Sequence, residues 1–359
     1  MLNTQEFFLK LVKEKFTHLC VVPCSFAKNL INVAVNHNKL IEYIPCASEA
    51  VACSIAAGLK MSGKSPIVVI QSSGLTNMAS CITSLLVPYK ICFPIITSWR
   101  TYNPGDSEIQ HEHLATHLPA LINAYGYDQE ILDHKNIDKA ISQISSARNS
   151  KTICVLKKNT FSSIELDPKN KLDLSLRAPR SKFLIEMNTK FAHKNYLFIG
   201  TTGHTAREMY TFMPDTNNFY MAGNMGGALS IGLGAAKSGL KVFICGGDAE
   251  FVMHLGGLTT AGRYDSEIDM TYILFDNESN KSTGGQKTLQ DHISFIGIAE
   301  NSGFTSFGGV IDNINNFNKA LNESQMSLGA KFLYVKCSYD KETPRPPISI
   351  IKNNFFNNS

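Results

Sequence analysis

The chain has 359 residues, a formal net charge of +4 and only 18% charged residues. That length suits two domains of ordinary size, each able to bury its own core, and so mild a basic excess argues against nucleic acid while suiting a small anionic substrate. No apolar run approaches the roughly eighteen residues of a membrane span, and the nine cysteines are scattered, odd in number and preceded by no secretory signal, so a soluble protein with reduced thiols in the cytoplasm is expected.

Apolar positions at helical spacing predict a helix from Thr4 to Phe16. A short buried strand, Leu19 to Val22, follows and is stopped by Pro23. The turn Pro23-Cys-Ser-Phe26 opens a helix through Val35, where Ser25 is either the helix cap or part of an anion site made with free backbone N–H groups. A strand from Ile41 to Pro45 leads into a helix from Ala47 to Lys60. Glu49 lies in its first turn, among Ala, Val, Cys, Ile and Gly, a composition that implies burial on nearly all sides. A carboxylate there is a partner of the helix dipole or a functional acid.

Next come a strand from Ile67 to Ile70, a turn from Gln71 to Asn77, a helix from Met78 to Leu86 and a strand from Ile91 to Ile96. The last delivers Ser98-Trp99-Arg100, in which Arg100 serves surface packing or presents a planar guanidinium to a doubly charged anion. His113 and His117, four apart, have the spacing of two zinc ligands on one helix face, but no Glu follows the first His within that interval and no Cys or carboxylate cluster completes a site. A helix from Ile137 to Arg148 and a strand from Thr152 to Leu156 close the first half, and residues 163–180 lack periodicity and read as a connection.

The second half repeats the alternation, which predicts two parallel sheets covered on both faces. A helix from Ser181 to Phe191 precedes the strand Tyr196 to Ile199, the turn Gly200-Thr-Thr-Gly203 and a helix from Thr205 to Phe212. The strand Asn218 to Met221 runs into Gly223-Asn-Met-Gly-Gly227. No G-x-G-x-x-G spacing occurs, so a dinucleotide fingerprint is missing. On the residues alone, Met225 reads as core filler.

The richest stretch is Val242-Phe-Ile-Cys-Gly-Gly-Asp248-Ala249, joined through a helical segment to Tyr272-Ile-Leu-Phe-Asp-Asn277-Glu-Ser279. Asp248 ends one strand after Gly246 and Gly247, which let a diphosphate approach the backbone, and Asn277 ends another, twenty-nine positions on. The Asp248 carboxylate, the Asn277 amide oxygen, a carbonyl near Ser279 and two diphosphate oxygens would suit Mg²⁺. Taken singly, the two residues also read as an Asp cap and an Asp-Asn turn. Helices from Asp291 to Asn301 and Asn313 to Glu323, strands from Phe304 to Phe307 and Lys331 to Lys336, and an Asn-rich tail complete the chain.

Gly247-Asp-Ala249 followed at this interval by Asp276-Asn277 resembles the cofactor signature of thiamine diphosphate enzymes, and Ser282-Thr-Gly-Gly-Gln286 resembles one branch of them, the phosphonopyruvate and sulfopyruvate decarboxylases. Ser48-Glu49 with Ala56-Ala-Gly58, the run Gln71 to Asn77, Ser98-Trp99-Arg100, Pro104-Gly105 and Glu108-Ile-Gln-His111 resemble the same branch in matching order. The resemblance implies an α/β fold of two doubly wound parallel-sheet domains of the thiamine diphosphate-binding type, without a middle domain. Residues 1–162 would bind the pyrimidine and 181–359 the diphosphate.

By the same resemblance the cofactors are thiamine diphosphate and Mg²⁺. Asp248, Asn277 and the Ser279 carbonyl would ligate the metal, Gly203, Gly247 and Ala249 would line the cofactor, Met225 would prop it, and Glu49 would hydrogen-bond its pyrimidine. Ser25, Arg100 and His111 would meet the substrate. The implied reaction is decarboxylation of 3-phosphonopyruvate to phosphonoacetaldehyde and CO₂, with sulfopyruvate or another anionic 2-oxo acid as the alternative. A non-catalytic thiamine diphosphate-binding protein is the alternative of a different class, against which stands the presence of Glu49, Asp248 and Asn277 in one chain. The resemblance further implies a homodimer or larger homo-oligomer with the site at a subunit interface. Two departures stand out: Glu250 after Asp248-Ala249, and Gly227 where a His is expected.

Overall fold

The computed structural model describes residues 1–340 and 343–347, so the Asn-rich tail lies outside the described residues. The chain divides into two compact units, one of residues 1–171 with 280–287, the other of residues 172–279 with 288–359.

Six strands build the sheet of the first unit: β1 (His18–Val21), β2 (Glu42–Pro45), β3 (Pro66–Gln71), β4 (Ile95–Ser98), β5 (Asp128–Ile131) and β6 (Thr152–Leu156), in the order β2-β1-β3-β4-β6-β5. Every pairing is parallel. β3 and β6 are apolar along nearly their whole length because both faces are covered. Phe7, Phe8 and Leu11 of the first helix, Thr4–Lys13, enter the core on one face beside Leu30 and Ile31. The strand predicted from Ile91 begins only at Ile95, after Pro94, whose nitrogen has no hydrogen to give a ladder. The helix predicted from Met78 to Leu86 breaks into a short turn of helix at Ala79–Cys81 and a π-helical turn at Ile82–Leu86.

The second unit holds β7 (Tyr196–Gly200), β8 (Asn217–Tyr220), β9 (Lys241–Gly247) and β10 (Asp269–Asp276). After a two-residue ribbon, β11 (Ser279–Asn280) and β12 (Gln286–Lys287), come β13 (Thr305–Ile311) and β14 (Gly329–Lys336). Its sheet runs β13-β14-β10-β9-β7-β8, again all parallel. Ranked by chain position within their own unit, the strands of both sheets follow one order, 2-1-3-4-6-5. In each, the order reverses between the first and third strands, and ligands of such sheets bind beyond the carboxyl ends there. In the second unit those ends are Gly200 and Gly247, which places the Gly203 turn and Asp248 at one crevice.

Residues 280–287, expected within the second domain, group instead with the first unit. Gln286 Nε2 donates to Asn32 Oδ1 at 2.6 Å, both groups buried, and Gly284 lies against the Lys28 side chain. Among the described residues, no helix is long and apolar enough to cross a membrane.

Candidate active site

In the first unit the helix Glu49–Met61 begins where β2 has ended, and Ser48 caps it by accepting from the Val51 N–H at 3.4 Å. Glu49 is thereby held at the first helical position and is 6% exposed. Asn77 Nδ2 donates to its Oε2 at 2.9 Å, and its side chain lies over Gly74, where any Cβ would collide with it. The turn after β3 is thus shaped around this carboxylate: one residue clears its path and another, three positions on, holds one of its oxygens.

Past β4 the chain enters the second cluster. Arg100, 7% exposed, donates through one terminal nitrogen to the Ser25 hydroxyl and through the other to Glu108 Oε2 at 2.7 Å. Its plane lies over the Phe26 ring, 4.6 Å from the centroid. Ser107 Oγ donates to the same Glu108 oxygen at 2.7 Å, and His111 Nε2 stands 3.6 Å from it. Of the three residues expected on the substrate side, Arg100 and His111 thus flank Glu108, and Ser25 joins them through Arg100. Ser25 does not cap a helix: it opens a 3₁₀ turn, Ser25–Ala27, whose cap position is Cys24, and its hydroxyl faces Arg100 from seventy-five positions away. His113 and His117 pack ring against ring, 4.8 Å between centroids, and no group of three or more His, Cys, Asp or Glu side chains that could hold a metal ion occurs among the described residues.

In the second unit β9 and β10 are neighbours, with Gly247 opposite Phe275. Asp248 and the Asp276-Asn277 pair consequently leave the sheet side by side. Asp248 is buried. That burial, with the carboxylate of Asp276 beside it, pushes its pKa up to about 7, against hydrogen bonds from Thr288 and the Ala249 backbone. Thr288 Oγ1 donates to Asp248 Oδ2 at 3.0 Å while the Thr288 N–H donates to the Glu278 carbonyl at 3.0 Å, so one residue ties both strand ends.

The turn itself is folded tightly. Asn277 Oδ1 accepts from the Ser279 N–H at 3.0 Å, Asp276 Oδ1 from the Glu278 N–H at 2.8 Å, and Glu278 takes a φ of 55°. Glu278 is clamped by Arg177 at 2.6 Å and Lys336 at 2.5 Å, and Lys336 also reaches Asp276 Oδ2 at 2.8 Å. Burial alone would raise the Glu278 carboxyl, but the two cations outweigh it and hold the group below its usual value.

The two glycines before Asp248 have different jobs. A Cβ on Gly246 would strike the Tyr272 hydroxyl, so that glycine makes room for a side chain of β10 rather than for a diphosphate; at Gly247 nothing stands within 4 Å. Tyr272 uses its hydroxyl to bond Glu250 Oε2, and burial raises the Glu250 carboxyl to about 7. Glu250, without an interpretation in the sequence, is the buried acceptor for that tyrosine. Gly203 adopts φ 86° just before the helix His204–Phe212, a conformation that favours glycine. Met225 is not core: Asn224 and Gly226 on either side have φ of 59° and 89°, and Met225 is 36% exposed.

These residues fit a metal-bound diphosphate. A buried carboxylate at a parallel strand end, an amide oxygen with a lone pair left after its turn bond and a buried Ser279 hydroxyl without a partner among the described residues form an oxygen-rich set of the kind Mg²⁺ takes, and Gly247 leaves open space beside it.

Two family models match the chain: Thiamine pyrophosphate enzyme, N-terminal TPP binding domain, over residues 2–103, and Thiamine pyrophosphate enzyme, C-terminal TPP binding domain, over residues 199–335. Phosphonopyruvate decarboxylase of Streptomyces viridochromogenes is 28% identical over 80% of this chain and 77% of its own length. Sulfopyruvate decarboxylase of Methanosarcina acetivorans is 26% identical over 90% of each. Sulfopyruvate decarboxylase subunit beta of Methanothermobacter thermautotrophicus is 40% identical over 30% of this chain and 58% of its own.

Proposed function

We propose, from the premise that this chain belongs to the thiamine pyrophosphate enzymes and is a decarboxylase among them, that it removes CO₂ from 3-phosphonopyruvate and releases phosphonoacetaldehyde. The observation that carries the substrate reading is the buried guanidinium of Arg100, held by Ser25 and Glu108 where the first sheet ends. A guanidinium placed there recognises a second, strong anion on the substrate, beyond the carboxylate that is lost.

Asp248, Asn277 and the Ser279 carbonyl would hold Mg²⁺, with Gly203, Gly247 and Ala249 along the diphosphate and Met225 against the cofactor's rings. Glu49 would hydrogen-bond the pyrimidine, with Asn77 fixing the carboxylate's other oxygen. When bound, thiamine diphosphate supplies the electron sink that a 2-oxo acid lacks at its carbonyl carbon. The chain's own groups do the rest: Glu49 holds and moves a proton at the pyrimidine, Arg100 and Ser25 orient the distal anion, and His111 stands next to them. The working unit is a homodimer or a larger homo-oligomer, with the site formed at the subunit interface.

Sulfopyruvate is the second reading, favoured by the similarity over 90% of the chain to a sulfopyruvate decarboxylase. Turnover of phosphonopyruvate, sulfopyruvate and pyruvate by the same preparation tests the proposal. It predicts kcat/KM for phosphonopyruvate well above that for sulfopyruvate and pyruvate barely used; preferential turnover of pyruvate would refute the distal-anion reading.

A further inference from the structure

Arg100 presents an incomplete fork. Its terminal nitrogens bond Ser25 and Glu108, yet its buried Nε has no hydrogen-bond partner among the described residues. Nε and the nitrogen on Glu108 are the pair that usually grips two oxygens of one anion. Glu108, on the adjacent terminal nitrogen, is a carboxylate of the chain itself, and a substrate oxygen bonded to Nε would therefore lie close to Glu108.

An anion beside an anion is repelled unless a proton lies between them. Here phosphonate and sulfonate differ. A phosphonate has a second ionisation near neutrality, as a phosphate monoester has, so its monoanion carries an O–H that can donate to a carboxylate. A sulfonate at the same pH has oxygen acceptors only. Ser107, whose hydroxyl donates to Glu108 Oε2, holds the carboxylate in place on Arg100, and His111 Nε2 stands 3.6 Å away.

We propose that Glu108 determines substrate specificity by accepting a hydrogen bond from the protonated oxygen of a phosphonate monoanion, whose ionised oxygen is taken by Arg100 Nε. The site thus selects phosphonate over sulfonate through a proton that only the former carries, in the way that a site built to bond a substrate hydroxyl rejects the analogue lacking it. This inference rests on the reading of Arg100 as the group that binds the distal anion.

The test measures kcat/KM for phosphonopyruvate and sulfopyruvate at one pH near neutrality in the unmodified chain and in Glu108→Gln, Glu108→Asp and Arg100→Met, with far-ultraviolet circular dichroism to check folding. The Gln amide keeps the shape and can donate to a sulfonate. Glu108→Gln is expected to lower the phosphonopyruvate-to-sulfopyruvate ratio at least tenfold, mainly through KM, and Glu108→Asp to keep the preference for phosphonate. If Glu108 merely positions Arg100, both KM values rise together and the ratio stays put, which overturns the proposal, as does a rise in the ratio. Arg100→Met separates the underlying reading: KM must rise for both acids, and unchanged values there refute the anion site itself, whatever Glu108→Gln shows.

Discussion

The Thr288 hydroxyl donates to Asp248 Oδ2 at 3.0 Å, which fixes a buried carboxylate at the end of β9. The backbone of the same threonine is bonded to the turn that follows β10. Thr288→Val keeps the shape and removes the hydroxyl. A buried hydrogen bond to a charged group contributes about 1.5–3 kcal/mol, so the dissociation constant for thiamine diphosphate with Mg²⁺ is expected to rise at least about tenfold. Calorimetric titration measures it, and an unchanged constant would mean that Asp248 needs no such support.

Glu49→Gln retains the side-chain shape and the hydrogen bond to Asn77 but cannot hold a negative charge. Loss of proton transfer is worth about 10²–10⁴ in rate, so kcat should fall by at least about a hundredfold while calorimetry shows cofactor affinity little changed. Near-normal turnover would remove Glu49 from the chemistry.

Lys336→Met leaves Asp276, which is 1% exposed, with the Tyr334 hydroxyl, 2.7 Å away, as its one side-chain donor among the described residues. Breaking a buried ion pair costs about 3–5 kcal/mol; the Lys336 side chain is 23% exposed, and solvent screening brings the expected loss to about 2 kcal/mol. Urea unfolding of the cofactor-free protein should show it as a lower midpoint with an unchanged slope.

The raised carboxyls of Asp248 and Glu250, both at about 7, give a pH dependence of definite sign. An acid that is harder to ionise in the fold than in the unfolded chain favours the fold while protonated. Its contribution is complete below its ordinary value of about 4 and is lost as pH rises to about 7. Cofactor-free protein should therefore lose stability from these two groups across that window. Glu250→Gln, which can still accept from Tyr272, should flatten the decline in melting temperature between pH 4 and 7; an identical profile in the variant would contradict the burial argument.

How much of this could be read in the residues varied with distance along the chain. Alternating apolar strands and helices announce two parallel sheets, and the glycines and acidic residue at the end of β9 mark its ligand end, because these signals are local. Relations between distant residues were hidden. Ser25 reads equally as a cap or as part of an anion site, because its partner Arg100 lies seventy-five positions away. Glu250 had no meaning until β10 brought Tyr272 to it, and Gly246 belongs to that same tyrosine rather than to a ligand. Gln286 reaches Asn32 across 254 positions, so the grouping of residues 280–287 with the first unit had no local sign.

The proposed decarboxylation of an anionic 2-oxo acid requires thiamine diphosphate and a divalent cation together. The direct measurement is CO₂ release from 3-phosphonopyruvate by protein stripped of cofactor and metal, then resupplied with thiamine diphosphate alone, Mg²⁺ alone, and both. Release is expected only when both are present; release from the stripped protein, or none with both present, would contradict the proposed function.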